Sequence, residues 1–277
     1  MKISPIGKMD KVVIFAAIAI LAYIAFSEDD SGKNTRTQKS PASKAMIASK
    51  KGAMPTAPRR DPGLWPPPAK EKIEMAPNFS ASNYLIVFDG SGSMIERQCS
   101  GRDPKINAAK TAVKKFIAAL GPEDNVALVG FGKTRYQKRN SMLFEHDFTA
   151  GDMSGVIDTL YSVAPMGKTP LTLAMRSGFM MLEKQAQRQG GYGQYHMVII
   201  TDGVATDGDP SIMARQIVTS SIVRIHVIGF CLSGKHLLNV PGYTRYSTAN
   251  DPQGLEKGLQ EVLAEADQFD PGVFVQQ

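Results

Sequence analysis

Five apolar residues, Tyr84-Leu85-Ile86-Val87-Phe88, run without transition into Asp89-Gly90-Ser91-Gly92-Ser93. A short unbroken apolar run bounded in this way reads as a strand buried on both faces. The glycines permit a sharp turn directly after it. That turn carries one carboxylate and two hydroxyls, an oxygen-rich set of the kind Mg²⁺ prefers. It lies at the strand end where open α/β sheets bind their ligands.

From Ser82 onward, strand and helix signals alternate, the pattern of a parallel sheet with crossover helices. Apolar runs predict strands at 84–88, 126–131, 197–201 and 225–230, a weaker edge strand at 142–148 and a short one at 245–247. Helical spacing predicts helices over 106–120, 153–161, 171–187, 211–220 and 252–267. In the first of these, Ile106, Ala109, Val113, Phe116, Ile117 and Leu120 share a face, and Gly121-Pro122 is the expected stop. Asp209-Pro210 reads as an N-cap followed by proline at the first helical position. No internal repeat is evident. The expected unit is one doubly wound, mostly parallel α/β domain over 81–277, with one antiparallel edge strand.

Charge excludes one class of partner. The chain of 277 residues is 43% hydrophobic, enough for a proper core, and carries a formal charge of +6. Residues 1–80 hold 13 Lys/Arg against 7 Asp/Glu, whereas residues 81–277 hold 19 of each. The basic excess thus lies wholly upstream of the domain, which has no global cationic field to steer it to nucleic acid.

The first 30 residues read as a targeting or anchoring device. Lys2, Lys8 and Lys11 precede an apolar run from Val12 to Phe26, and Glu28-Asp29-Asp30 follow. Fifteen helical residues span about 22 Å, short of the roughly 30 Å hydrocarbon core but at the upper limit for a signal peptide. Tyr23 and Ile24 are bulky beside the cleavage-like Ala25-Phe26-Ser27, which favours an uncleaved signal anchor, a single-pass helix over about 12–26. The leading lysines favour a cytoplasmic N-terminus, leaving the domain on the periplasmic or extracellular side of the cytoplasmic membrane. Residues 31–80, rich in Pro, Ala, Ser and Lys and including Trp65-Pro66-Pro67-Pro68, read as a linker. Trp65 is the sole tryptophan and is expected to pack only in part.

Two later segments extend the Asp89 pattern: Gly167-Lys168-Thr169-Pro170 and Val198-Ile199-Ile200-Thr201-Asp202-Gly203. Together the three segments resemble the metal-ion-dependent adhesion site of the von Willebrand factor A domain family, with all five motif positions matched. The resemblance implies that Ser91 and Ser93 bind the metal directly. Asp89 and Asp202 would act directly or through water, and Thr169 would exchange between the two. It implies Mg²⁺, with Mn²⁺ or Ca²⁺ as alternatives. Two carboxylates neutralise such an ion, and hydroxyls fill further positions without adding charge. The position left open would take an Asp or Glu carboxylate of a partner protein. The metal then serves recognition, so neither an enzyme nor a small-molecule substrate is expected.

Two enzyme motifs come close and fail, and a third is absent. Gly167-Lys168-Thr169 resembles the end of a phosphate-binding loop, but Ser162 stands where its opening glycine belongs and Pro165 interrupts it. Gly90-x-Gly92 begins a dinucleotide fingerprint whose third position is the bulky Ile95. Neither Ser91 nor Ser93 lies in Gly-x-Ser-x-Gly. Asp207 and Asp209 read as turn formers and helix caps, and His146, His196, His226 and His236 have no metal-ligand spacing. Cys99 and Cys231, the only cysteines, fall near the same end of the predicted sheet; a disulfide between them is chemically sensible in an exported domain, and two free thiols are the alternative. Two other functional readings fit the same residues: an accessory subunit of an ATPase or protease complex, and a structural scaffold with a silent metal site.

Overall fold

A strand buried on both faces needs a helix layer on each, and β1 (Ser82–Asp89) has both. The computed structural model describes residues 65–138, 141–232 and 234–266. Among them β1, β2 (Asn125–Phe131), β3 (Leu143–Thr149), β4 (Gln194–Thr201), β5 (Arg224–Phe230) and β6 (Thr244–Ala249) form one sheet in the order β3-β2-β1-β4-β5-β6. β1 pairs in parallel with β2 and β4, β4 with β5, and β5 with β6. Only β3 is antiparallel, paired to β2 at the sheet edge. The expected α/β class and the antiparallel edge strand are both present.

The helices are α1 (Lys105–Ala118), α2 (Ser154–Ser162), α3 (Leu171–Arg188), α4 (Pro210–Ser220) and α5 (Pro252–Ala266). Alternation along β1 divides the core. Tyr84, Ile86 and Phe88 meet Val113 and Phe116 of α1, Leu160 of α2 and Leu259 of α5. Leu85 and Val87 meet Leu171, Met175 and Leu182 of α3 and Ile217 of α4. Each such side chain, fully buried, contributes roughly 1.5–3 kcal/mol. The connection leaving β1 runs to β2 on one side, and the connection leaving β4 runs to β5 on the other. Their divergence opens a crevice at the carboxyl ends of β1 and β4.

Two differences from the sequence reading have a visible physical cause. α1 stops at Ala118, before Gly121-Pro122, because the N–H groups of Ala119 and Leu120 turn back onto the carbonyls of Phe116 and Ile117. Gly121 instead donates its N–H to Asp124 Oδ2 at 2.8 Å. Residues 65–80, assigned by composition to a linker, form a strap along the domain. Gln187 Nε2 donates to the Pro67 carbonyl (2.8 Å), and Ala76 N–H to the Arg188 carbonyl (2.8 Å). Trp65 packs edge-on against Tyr195, ring centroids 4.9 Å apart. Backbone groups hold most of this strap, so a side-chain pattern could not reveal it. Among the described residues no helix is long and apolar enough to cross a membrane, and the expected anchor at 12–26 lies outside them.

Cys99 and Cys231 are joined in a disulfide, their Cα atoms 5.9 Å apart across 132 residues of sequence. The bond ties the loop after β1 to the end of β5. Both cysteines sit in the left-handed region, at φ 47° and 58°, a conformation that side-chain-bearing residues adopt only when their surroundings enforce it.

Candidate metal centre

The turn after β1 leaves the sheet at Gly90, where a Cβ would lie 2.3 Å from the Phe131 carbonyl oxygen of β2. Only glycine fits there. Ser91 then donates its N–H to Asp89 Oδ1 (2.8 Å), while Thr201 Oγ1 donates to Asp89 Oδ2 (2.6 Å). Both oxygens of Asp89 are therefore held by protein donors. A short 3-10 turn, Gly92–Ile95, follows and presents Ser93. Ser93 Oγ lies 3.0 Å from Ser91 Oγ and donates to Asp202 Oδ1 at 2.8 Å.

Thr169 approaches from the loop before α3. Met166 N–H donates to the Gly90 carbonyl (2.9 Å), and Gly92 N–H to the Gly167 carbonyl (3.1 Å), so the two turns are laced together. Thr206 N–H caps the Thr169 carbonyl at 2.9 Å. The position a Cβ would take on Gly203 lies 3.7 Å from Thr169 Oγ1 and 3.9 Å from Ser93 Oγ. The structure thus gathers Asp89, Ser91, Ser93, Thr169 and Asp202 at one rim, between the ends of β1 and β4.

Several contributors were not anticipated from the sequence. Lys105, first residue of α1, donates from Nζ to Asp202 Oδ2 (3.0 Å) and to Glu96 Oε2 (2.9 Å). Its side chain is 3% exposed and that of Asp202 0%. Burial opposes the Lys105 charge, but hydrogen bonds to Glu96 and Asp202 outweigh it and hold the ammonium above its usual pKa. A cation at a helix N-terminus opposes the helix dipole; that mismatch was the available signal. Thr201 was visible as a hydroxyl ending an apolar strand. His236 accepts the Leu238 N–H at Nδ1 (3.2 Å), so its Nε2 carries the proton and donates to the Gly203 carbonyl at 2.9 Å. It braces the turn after Asp202. Asp207 accepts the N–H groups of Thr172 and Leu173 at 3.1 and 2.7 Å, capping α3, and Asp209 caps α4 through Ser211 N–H at 2.9 Å.

The local electrostatics are unbalanced. Asp202 and Glu96 share one ammonium, and Asp89 adds a further carboxyl near Asp202. Burial, then the negative charge of Asp202, push the Asp89 carboxyl up to about 6, against the hydrogen bonds from Ser91 and Thr201. Among the described residues no three His, Cys, Asp or Glu side chains converge as a metal-binding group. Hydroxyl and carboxylate oxygens are what the rim offers, which suits a hard cation and not a thiolate- or imidazole-bound one.

A doubly wound sheet bearing a hydroxyl-and-carboxylate rim at its switch point defines an α/β domain with a candidate cation site there. The chain belongs to the von Willebrand factor type A domain family, which it matches over residues 84–266. It is 27% identical over 205 residues to YwmD, an uncharacterised protein of Bacillus subtilis (strain 168), covering 67% of this chain and 89% of that one. Its fold is similar to that of the pilus adhesin SpaC from Lactobacillus rhamnosus GG: TM-score 0.53, 20% identity, 69% of this chain and 31% of SpaC. It is also similar to the PilB minor pilin from Streptococcus sanguinis: TM-score 0.51, 16% identity, 68% of this chain and 62% of PilB. The chain spans less than two thirds of either solved structure.

Proposed function

We propose that the rim binds one divalent cation, and through it the carboxylate of a partner protein. The observation that carries this reading is the hydroxyl pair Ser91 and Ser93 meeting Asp202, with oxygens 3.0 and 2.8 Å apart. Those spacings are close to the edge of a Mg²⁺ octahedron, about 3 Å for metal–oxygen bonds near 2.1 Å. Mg²⁺ is the favoured ion, with Mn²⁺ or Ca²⁺ as alternatives. In this reading Ser91, Ser93 and Thr169 supply neutral oxygens, Asp202 supplies charge, and Asp89 orients the turn or acts through water. The ion would polarise an incoming carboxylate without any bond being made or broken, so the domain is a binding module and not an enzyme.

The surroundings support a protein partner. Ile95, Met166 and Val204, one from each loop that carries site residues, are large apolar side chains left more than half exposed. Exposed apolar surface around a polar centre is typical of interaction sites. SpaC and PilB, similar in fold, are a pilus adhesin and a minor pilin. The disulfide supports a domain outside the cytoplasm, tethered through residues 12–26, since such bonds persist in oxidising compartments.

Scanning fluorimetry tests the cation. Mg²⁺ at 100 times its dissociation constant should add about 2.7 kcal/mol. That raises the melting temperature of a domain this size by roughly 5–10 °C. Ser93→Ala should shrink the gain and Asp89→Ala should remove it. A wild-type melting temperature indifferent to Mg²⁺ and Mn²⁺ would refute the reading.

A further inference from the structure

We propose that the partner's acidic residue is flanked by a bulky apolar side chain, and that this neighbour is held in the groove beside the rim. The proposal rests on the cation-mediated reading above and adds the sequence preference that the cation alone cannot supply.

The groove encloses about 580 Å³ and is lined by Phe131, Met142, Met166 and Pro170, with Lys133 and Lys168 among its polar residues. Such a volume holds a Leu, Met or Phe side chain with room for adjoining backbone. Met142 and Met166 are 61% and 54% exposed. Methionines so placed form an adaptable apolar surface. One wall of the groove is braced. Lys133 and Ala164 exchange both backbone hydrogen bonds, at 2.9 and 2.7 Å, joining the chain beyond β2 to the loop that leads to Thr169.

One ridge, residues 166–170, separates the groove from the rim. Met166 N–H and the Gly167 carbonyl are bonded to Gly90 and Gly92 on the rim side, while Met166, Gly167, Lys168 and Pro170 line the groove. In an extended chain successive side chains face opposite ways, so a segment that sets its carboxylate beside Thr169 must bend over the ridge to lay the adjoining side chain in the groove.

Charge selects among occupants. Asp207 also lines the groove, but both its oxygens accept backbone N–H groups of α3. Lys133 and Lys168 remain to complement an acidic segment, and such complementarity speeds encounter and fixes register. The occupant is therefore a protein segment in which Asp or Glu adjoins Phe, Leu or Met.

A library of random twelve-residue peptides displayed on phage, panned against the full chain in detergent with Mg²⁺ and eluted with EDTA, tests this. The expected peptides carry Asp or Glu next to a bulky apolar residue. On Met142→Ser/Met166→Ser, both surface changes, recovered peptides should keep the carboxylate and lose the apolar neighbour. For a synthetic peptide of the enriched sequence, changing the neighbour to Ser should weaken binding about tenfold or more on wild type, and less than twofold on the double variant. Carboxylate enrichment without an apolar neighbour, or an unchanged preference on the double variant, overturns the groove while sparing the cation. Apolar peptides recovered without a carboxylate, or not released by EDTA, overturn the cation-mediated reading and this proposal with it. Self-association of the peptide-free chain that the double variant abolishes would assign the groove to a second copy and overturn the proposal.

Discussion

Lys105 has an unusual position for a lysine, buried at the start of α1 and shared between Glu96 and Asp202. Removing one partner of a buried pair leaves the other charge uncompensated, at a cost of about 3–5 kcal/mol. Lys105→Met should therefore lower stability by that order in the absence of divalent cation, read by urea denaturation. Added Mg²⁺ should restore more of it than it adds to wild type, because the cation supplies the missing positive charge; an equal or smaller gain would show that Lys105 does not bear on the rim's charge. Asp89, Ser91 and Ser93 were legible together in one turn at a strand end, whereas Thr169 and Asp202, far along the chain, were named only through the family motif. Lys105 was not legible, since a lysine at a predicted helix start reads as solvated until Asp202, 97 positions away, is brought to it. Gly90 carries the tightest backbone constraint at the rim. Gly90→Ala would set a Cβ 2.3 Å from a backbone oxygen of β2. It should destabilise the fold by about 1–3 kcal/mol through overpacking and weaken the Mg²⁺-dependent melting shift, both measurable in one thermal series.

At the scale of elements, the disulfide and the strap have opposite histories. Cys99 and Cys231 could be placed near one another from sequence because parallel strands put their carboxyl ends on one edge; the bond itself is seen in the structure. That rule placed both cysteines before any distance was known. The strap 65–80 could not be read, because its bonds run from its carbonyls to Gln187 and Gln189 and its amide at Ala76 to Arg188. Such bonds leave no periodicity in the side chains. Cys99→Ser/Cys231→Ser should lose about 2–5 kcal/mol. The lost tether should also expose the loop between Glu96 and Pro104 to trypsin at Arg97 and Arg102, residues cut slowly in the oxidised protein. Cleavage at equal rates in both forms would show that the loop is held by Lys105 and Glu96 alone.

For the whole molecule, acid stability is set by charges the core excludes. His196 Nδ1 and His226 Nε2 lie 3.2 Å apart, stacked beneath Tyr84, with Arg224, Arg245 and Glu265 around them. Burial, reinforced for His226 by Arg245 and Arg224, pushes that imidazole down to about 3; burial, then the neighbouring His226, holds His196 well below its ordinary value. Both histidines are neutral in the folded protein. In the unfolded chain they take up protons near pH 6.5, so the stability they allow is present above that pH and is lost as pH falls toward 3. Asp89 works the other way, favouring the fold as pH falls from about 6 toward 3.8. Two displaced histidines outweigh one displaced carboxyl, so the melting temperature should drop from pH 7 to pH 4.5, and His226→Asn should flatten that slope.

Trp65 packs at the start of β4, and the rim lies past its end at Asp202. Eight strand residues, about 26 Å, separate where the described chain comes in from where a partner would be gripped. Tension between an upstream tether and a captured protein would thus run lengthwise through the sheet, across ladders whose hydrogen bonds share the load. A pull applied between Trp65 and Asp202 would load those ladders in shear, so the sheet would resist opening strand by strand like a zip.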